Sequence, residues 1–286
     1  MSIFRHKADK LPITIITLFF LLDLTIFFTI DNPWFIVTWF VLCIWPKGNV
    51  CAWNHHHQHC LTFKSTFLNR CLELMFGFQT GVTTKGWFLH HVVGHHKNYL
   101  DQSLDESAWM NKDGSTKSEI GYTVEVAGSS FYRIFKVGMA NNKRHLRDFL
   151  MMVTLQVVLL AGFFYYNWFN ALFIFAIPMA LSLTLTAWAT YNHHSNLDTK
   201  NEFEGSRNTL DPFYNLMTGN LGYHTAHHVK HGLHWSKLPE YHASIEHLIP
   251  AHCYLETGAP YSWFKGVKKA GGIVIRPLKL IKSFTL

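Results

Sequence analysis

The residues with the most chemistry in this chain are its histidines, and they are grouped. Asn54 to His59 reads NHHHQH, His90 to His96 reads HHVVGHH, Tyr191 to Ser195 reads YNHHS, and Gly222 to Trp235 reads GYHTAHHVKHGLHW. Most of the 20 His sit in these four groups. A buried imidazole nitrogen needs a partner, so a core avoids such density and a solvated loop has no use for it. Imidazole binds zinc, iron, copper and nickel well. Residues three or four apart share a helix face. His55 and His59 have that spacing, as do His91 and His95, with His96 turned to a neighbouring direction; His224, His227 and His228 fall at i, i+3 and i+4. Adjacent residues such as His95 and His96 cannot aim at one point on a regular helix, but they can serve two metals a few ångströms apart. The set is too large for one tetrahedral zinc and large enough for two metals with open positions.

Competing site chemistries are missing from the sequence. It has no HExxH of the zincins and no ExxH of the ferritin-type di-iron bundles. The five Cys include no CxxC pair, which removes rubredoxin-like and zinc-ribbon sites and fits reduced thiols. His6, His145, His242, His247 and His252 stand outside the groups and read as hydrogen-bonded core residues.

The elements that position these groups read as membrane helices. The 286 residues are 49% hydrophobic, 16% aromatic and only 15% charged, against roughly a quarter charged in soluble proteins. Spans are expected at 11–30, 34–53, 149–166 and 171–191, with turns at Asp31–Pro33 and Asn167–Asn170. Pro46, Lys47 and Gly48 weaken the end of the second span, where Lys47 is expected to snorkel, and Pro178 is expected to kink the fourth. No Lys or Arg falls between Leu11 and Pro46 or between Asp148 and Thr199. The expected fold is all-α and integral to the membrane: four transmembrane helices in two hairpins, with a helical cytosolic cap over 54–148 and 192–286, in a single domain over 1–286. The positive-inside rule puts both termini, near His6 and Ser283, and all four histidine groups on the cytosolic face. Topology and anionic lipid then explain the net charge of +7, and no nucleic-acid motif is present. Phe67–Phe78 and Phe131–Met139 are amphipathic and suit either the membrane interface or the packing of the cap.

With boxes HHHQH, HVVGHH and HTAHH in this order around two apolar hairpins, the chain resembles the membrane-bound fatty acid desaturase and hydroxylase superfamily, over nearly its whole length from the first span to LHWSKLPEYH. The resemblance implies a non-haem pair of irons held by His55 and His59, by His91, His95 and His96, and by His224, His227 and His228. A ninth ligand, His194, matches a motif like NYxxH through TYNHH, with Thr190 in place of the Asn. His56, His57, His90 and His193 are extra and read as hydrogen-bonding neighbours. Asp101, Asp105, Glu106, Asp198 and Asp211 follow the boxes closely, and any of them can orient a ligating imidazole.

The same resemblance implies activation of O2 and attack on a C–H bond of a fatty acid or acyl lipid reached from the bilayer, in what is expected to be a bacterial inner membrane. The sequence has no dinucleotide, rubredoxin or haem motif, so a separate electron donor is implied, of ferredoxin or rubredoxin type with a reductase. Box two, HVVGHH, is similar to that of bacterial alkane hydroxylases, and GYHTAHHVKHGLHWSKLP looks more like bacterial acyl-lipid desaturases. Desaturation ranks first, then oxidative decarboxylation of free fatty acids to terminal alkenes, then hydroxylation. A histidine-rich metal transporter is the reading of another class. It needs ionisable groups within the spans, and Asp23 is the only charge well inside one.

Overall fold

The structure, a computed structural model, describes residues 2–265, of which 264 and 265 by their backbone alone. Ser283 and the end of the expected cap lie outside the described residues. Among the described residues all regular structure is helical. Helix α1 (Lys10–Thr29) carries a single charge, Asp23, beyond its first residue. After a short turn, the Asn32 side chain accepts hydrogen bonds from the Trp34 and Phe35 amides and Pro33 fills the first turn of α2 (Pro33–His59). The expected weakening at Pro46 does not occur. Helix α2 runs through it to the end of the first histidine box, about 40 Å in all. His55 and His59 therefore ride on the same rod that enters the apolar layer.

Helix α3 (Thr66–Thr80) starts at a Ser65 cap and ends at Gly81, whose φ of 76° suits glycine. It buries Leu72, Met75, Phe76 and Phe78 against α1, α2 and their neighbours, so the stretch Phe67–Phe78 is mainly a packing helix. Residues Phe88–His96 wind as a π-helix. Helix α4 (Glu119–Asn141) packs Tyr122, Val126, Ile134 and Val137 inward, and leaves Ile120, Val124, Phe131, Phe135 and Met139 exposed. Helix α5 (Lys143–Tyr166) follows an Asn142 cap. A short α6 (Trp168–Asn170), a π-turn (Ala171–Ala176) and α7 (Ile177–His194) then run on as one rod. The π-turn lies just before Pro178, so the expected irregularity is a wider turn that absorbs the missing N–H.

Four helical stretches, Lys7–Thr29, Pro33–His59, Lys143–Tyr166 and Trp168–His194, are long and apolar enough to cross a membrane. Much of their apolar surface faces outward: Leu18, Leu42, Met151 and Val158 are all more than half exposed. In water that would be an aggregation surface; in lipid it is solvated.

Inside this layer the structure corrects one expectation. Lys47 does not snorkel. It is buried and forms a 3.0 Å ion pair with the fully buried Asp23. Its ammonium also donates to the Ile174 carbonyl at 2.6 Å, and Trp39 Nε1 donates to Asp23 Oδ1 at 2.9 Å. One charge pair thus links α1, α2 and the π-turn.

The remaining chain closes over the ends of α2 and α7. Helix α8 (Pro212–Thr218) begins at an Asp211 cap, α9 (His224–Val229) carries the third box, and α10 (Leu238–Ile245) packs on α9 through Ala226, Leu238 and Ile245. The N-terminal segment clamps the loop after α9. Asp9 Oδ1 lies 3.0 Å from His234 Nε2 and accepts from Trp235 Nε1 at 2.7 Å, while His6 stacks on His234. Of the five histidines read as core residues only His242 is buried. His6, His247 and His252 are exposed and His145 is half-buried, because short polar turns rather than packed helices carry most of them.

Candidate metal centre

All nine expected histidines come together at the ends of α2 and α7. One ring nitrogen from each of His55, His59, His91, His96 and His227 falls within 4.8 Å of the others, and His95, His194 and His228 form a second such group. His224 stands beside the second group, with Nε2 3.1 Å from His194 Nε2. The adjacent residues His95 and His96, and likewise His227 and His228, divide between the two groups.

The second box corrects the pairing read from an α-helical repeat. His91 meets His96, not His95: their Nε2 atoms are 2.9 Å apart. The π-helix is the cause, because its i→i+5 bonding brings residues five apart onto one face. Gly94 makes the winding fit. A Cβ there would come 2.7 Å from Glu106 Cγ, so the loop that returns through Asp105 can lie directly on the π-helix.

The distances within the groups suit metal coordination better than hydrogen bonding. Nε2 of His59 lies 3.0 Å from that of His55, and Nε2 of His96 lies 3.0 Å from that of His227 as well as near His91. A single N–H cannot serve several nitrogens at once. Two nitrogens each about 2.1 Å from one ion are about 3.0 Å apart at right angles and about 3.4 Å apart at tetrahedral angles. The first group matches the former. His228 adds a second test. Both of its ring nitrogens are buried and neither has a hydrogen-bond partner among the described residues, a cost of roughly 1–3 kcal/mol per group unless something else binds them. Burial, reinforced by neighbouring imidazoles, pushes His91, His96, His224, His227 and His228 well below the usual histidine range. They are neutral at physiological pH, the form that ligates. The donor set fits a pair of borderline transition metals.

The extra histidines are turned elsewhere. His56 Nε2 lies 3.0 Å from the Thr218 carbonyl, His57 Nδ1 2.9 Å from Thr62 Oγ1, and His90 Nε2 3.4 Å from the Glu106 carbonyl. His193 stacks on His224 and places Nε2 3.4 Å from the Tyr214 hydroxyl. Thr190 returns its hydroxyl to the Thr186 carbonyl. Of the five acidic candidates, Asp105 is the one placed on a clustered imidazole: its two oxygens lie 2.9 and 3.0 Å from His95 Nδ1, which leaves His95 Nε2 facing the second group. Glu106 pairs with Lys136, Asp211 caps α8, and Asp101 and Asp198 are surface residues. The Gly205 carbonyl, 2.9 Å from His194 Nδ1, orients that ring.

Two neighbours were not among the expected ligands. His231 is exposed but its ring lies 5.4 Å from that of His96, and the Tyr99 ring lies 4.3 Å from that of His228. His231 continues the i, i+3 spacing from His228, a signal present in the sequence; nothing local marks Tyr99.

A cavity of about 390 Å³ leads away from the cluster, with His55, His91 and His224 at one end and Trp45, Gly48 and Leu185 at the other. A membrane-embedded helical protein with a histidine-lined centre opening on an apolar cavity is thereby defined. The family model described as "Fatty acid desaturase" matches residues 31–260, and the chain belongs to that family. No curated protein and no solved structure matches it. The chain is accordingly a membrane oxidoreductase of fatty acyl chains.

Proposed function

We propose that this chain is a di-iron enzyme that uses O2 to attack C–H bonds of a fatty acyl chain, with desaturation as the outcome. The observation that carries the reading is the continuity of an apolar cavity with the convergent imidazoles: His55 and His91 belong to both, and His224, which also lines the cavity, touches His194 of the second group. His55, His59, His91, His96 and His227 would hold one iron, and His95, His194, His224 and His228 the other. Neutral imidazole suits iron, and no thiolate competes in either group. When bound, the metals supply the oxidising power that side chains lack. The protein's own residues hold the ring nitrogens in place, orient His95 through Asp105, and keep water from the acyl chain. Desaturation removes two hydrogens from adjacent carbons; with O2, two electrons and two protons from a donor it yields a double bond and two waters. The donor is a separate ferredoxin- or rubredoxin-type protein with its reductase, and the basic surface suits an acidic carrier.

In this reading the spans form two hairpins of a single domain, with the termini and the histidine cap on the cytosolic face. The Lys and Arg distribution supports it, Lys47 being neutralised by Asp23. That pairing also weighs against ion transport, since neither charge is left to line a path. A second reading, oxidative decarboxylation of a free acid to a terminal alkene, has the same electron demand. Polar groups in the cavity lining favour it: Thr209, Tyr214 and His193.

The test combines metal analysis with product analysis. Protein from iron-replete cells should carry about two irons per chain. With a ferredoxin–reductase pair, O2 and either lauric acid or a lauroyl thioester, it should form an unsaturated product of unchanged length. One zinc and no iron would overturn the reading. A one-carbon-shorter alkene with CO2 would replace desaturation by decarboxylation, and an alcohol would replace it by hydroxylation. His227→Ala should abolish turnover while the protein still inserts in the membrane.

A further inference from the structure

A buried metal site needs a way in for the ion. Of the nine grouped histidines, His59 is the one left partly exposed; the others are buried. The chain beside it is the turn that follows α9. Cys60, the residue after His59, donates its thiol to the Gly232 carbonyl at 3.1 Å, and the Leu233 amide donates to the Lys230 carbonyl at 2.8 Å. The end of α2 and the end of the third box are thus tied together, with His231 in the turn between them.

His231 is exposed, and the helix repeat sets its place. It stands four residues after His227, so it continues the face that carries that imidazole. Its ring centroid is 5.4 Å from that of His96 and 6.2 Å from that of His59. Within the first group, neighbouring rings stand from 4.5 Å apart (His55 and His91) to 6.1 Å apart (His91 and His227). His231 is not among the nitrogens that converge there. It is the next imidazole outward, at nearly the spacing the grouped rings keep among themselves, so an ion on it is one step from His59 and His96. The flanking cation is turned aside: Lys230 Nζ lies over the Tyr241 ring, 4.1 Å from its centroid. Gly232 is exposed and a Cβ there would meet nothing within 4 Å, which leaves the approach from solvent open.

We propose that His231 is an entry ligand, which captures a divalent metal ion at the protein surface and passes it to His59 and His96. It gives the ion up once the inner nitrogens have closed on it. The proposal rests on the metal-centre reading and concerns how the centre is filled, not what it does. A residue that only lines the route lowers one barrier in both directions. Its loss therefore slows filling and emptying alike and leaves the equilibrium where it was. Loss of a resident ligand does otherwise: it speeds release and weakens binding.

Loading kinetics of the metal-free full chain test this without any turnover. Protein from metal-starved cells is mixed in detergent, under argon, with cobalt(II), whose visible bands report imidazole coordination. Uptake is followed after mixing, and release after addition of EDTA at concentrations where its rate no longer depends on the chelator. His231→Ala should slow both by about tenfold, with the final cobalt content and the affinity unchanged. His231→Asp restores a metal-binding side chain at the same place and should recover most of the rate, and Lys230→Ala should match wild type. Wild-type rates in His231→Ala overturn the route and leave the acyl cavity, which also reaches His55 and His91, as the way in. Faster release with weaker binding overturns it as well, by making His231 a resident ligand. Failure of the wild type to take up cobalt at all would instead sink the metal-centre reading, and the entry ligand with it.

Discussion

Replacing Lys47 by Met would strand the Asp23 carboxylate inside the helix bundle. In the native protein that carboxylate is 0% exposed and has two partners, the Lys47 ammonium at 3.0 Å and the Trp39 indole at 2.9 Å. Removing one partner of a buried pair costs about 3–5 kcal/mol, because the other charge is left uncompensated. At about 2–4 °C per kcal/mol for a chain of this size, the loss is about 6–20 °C in apparent melting temperature. The double variant Asp23→Asn/Lys47→Met removes both charges, keeps an acceptor for Trp39 and should recover most of the loss, since buried pairs contribute little net stability over a neutral replacement. Fluorescence-detected size exclusion after heating the detergent-solubilised protein measures Lys47→Met, Asp23→Asn, the double variant and the wild type. A Lys47→Met protein that melts within about 2 °C of wild type, or a double variant whose loss equals the sum of the two single losses, would refute the coupling.

Gly222→Ala should lose the folded centre, because the added Cβ would lie 2.0 Å from the Thr209 carbonyl oxygen, a backbone atom that cannot swing away; trypsin resistance of the region around α9 reports it. Asp105→Asn should weaken metal retention by about 10- to 100-fold while Asp105→Glu retains more, read by chelator competition. Glu73 sets a pH dependence. Burial raises its pKa, but hydrogen bonds from His57, Thr84 and Arg70 outweigh that and bring it to about 2, below the ordinary 4.5. Its stabilisation, about 3 kcal/mol, is complete above about pH 5 and fades as pH falls through 4.5 toward 2. The stability gap between metal-free wild type and Glu73→Gln should narrow over that window, and a gap constant from pH 7 to 3 would contradict the assignment.

The sequence carried the grouping of the histidines and the apolar spans because both are short-range signals. Apolar length marks a span without knowledge of its neighbours, and grouped His55, His91 and His227 announce a shared need for a partner. It carried the division of His95 from His96 for the same reason. What it did not carry depends on contacts between distant segments. Lys47 read as a snorkelling end residue because its partner lies on another helix. The second span read as weak because Pro46 is locally a breaker, yet the helix runs through it to His59. The π-winding of box two, and with it the His91–His96 pair, followed from the fit of Gly94 against Glu106 rather than from any periodicity.

That winding has a consequence for how such a chain can change. A π-turn holds one residue more than an α-turn. His91, His95 and His96 stand at i, i+4 and i+5 on the π-helix, while His224, His227 and His228 stand at i, i+3 and i+4 on an α-helix. The extra residue and the wider turn cancel, so both boxes face three imidazoles the same way. Loss of Val92 or Val93 would let the segment rewind as α and still present all three. The spacing of a histidine box is therefore free to vary by one codon, provided the helix beneath it changes its winding in step.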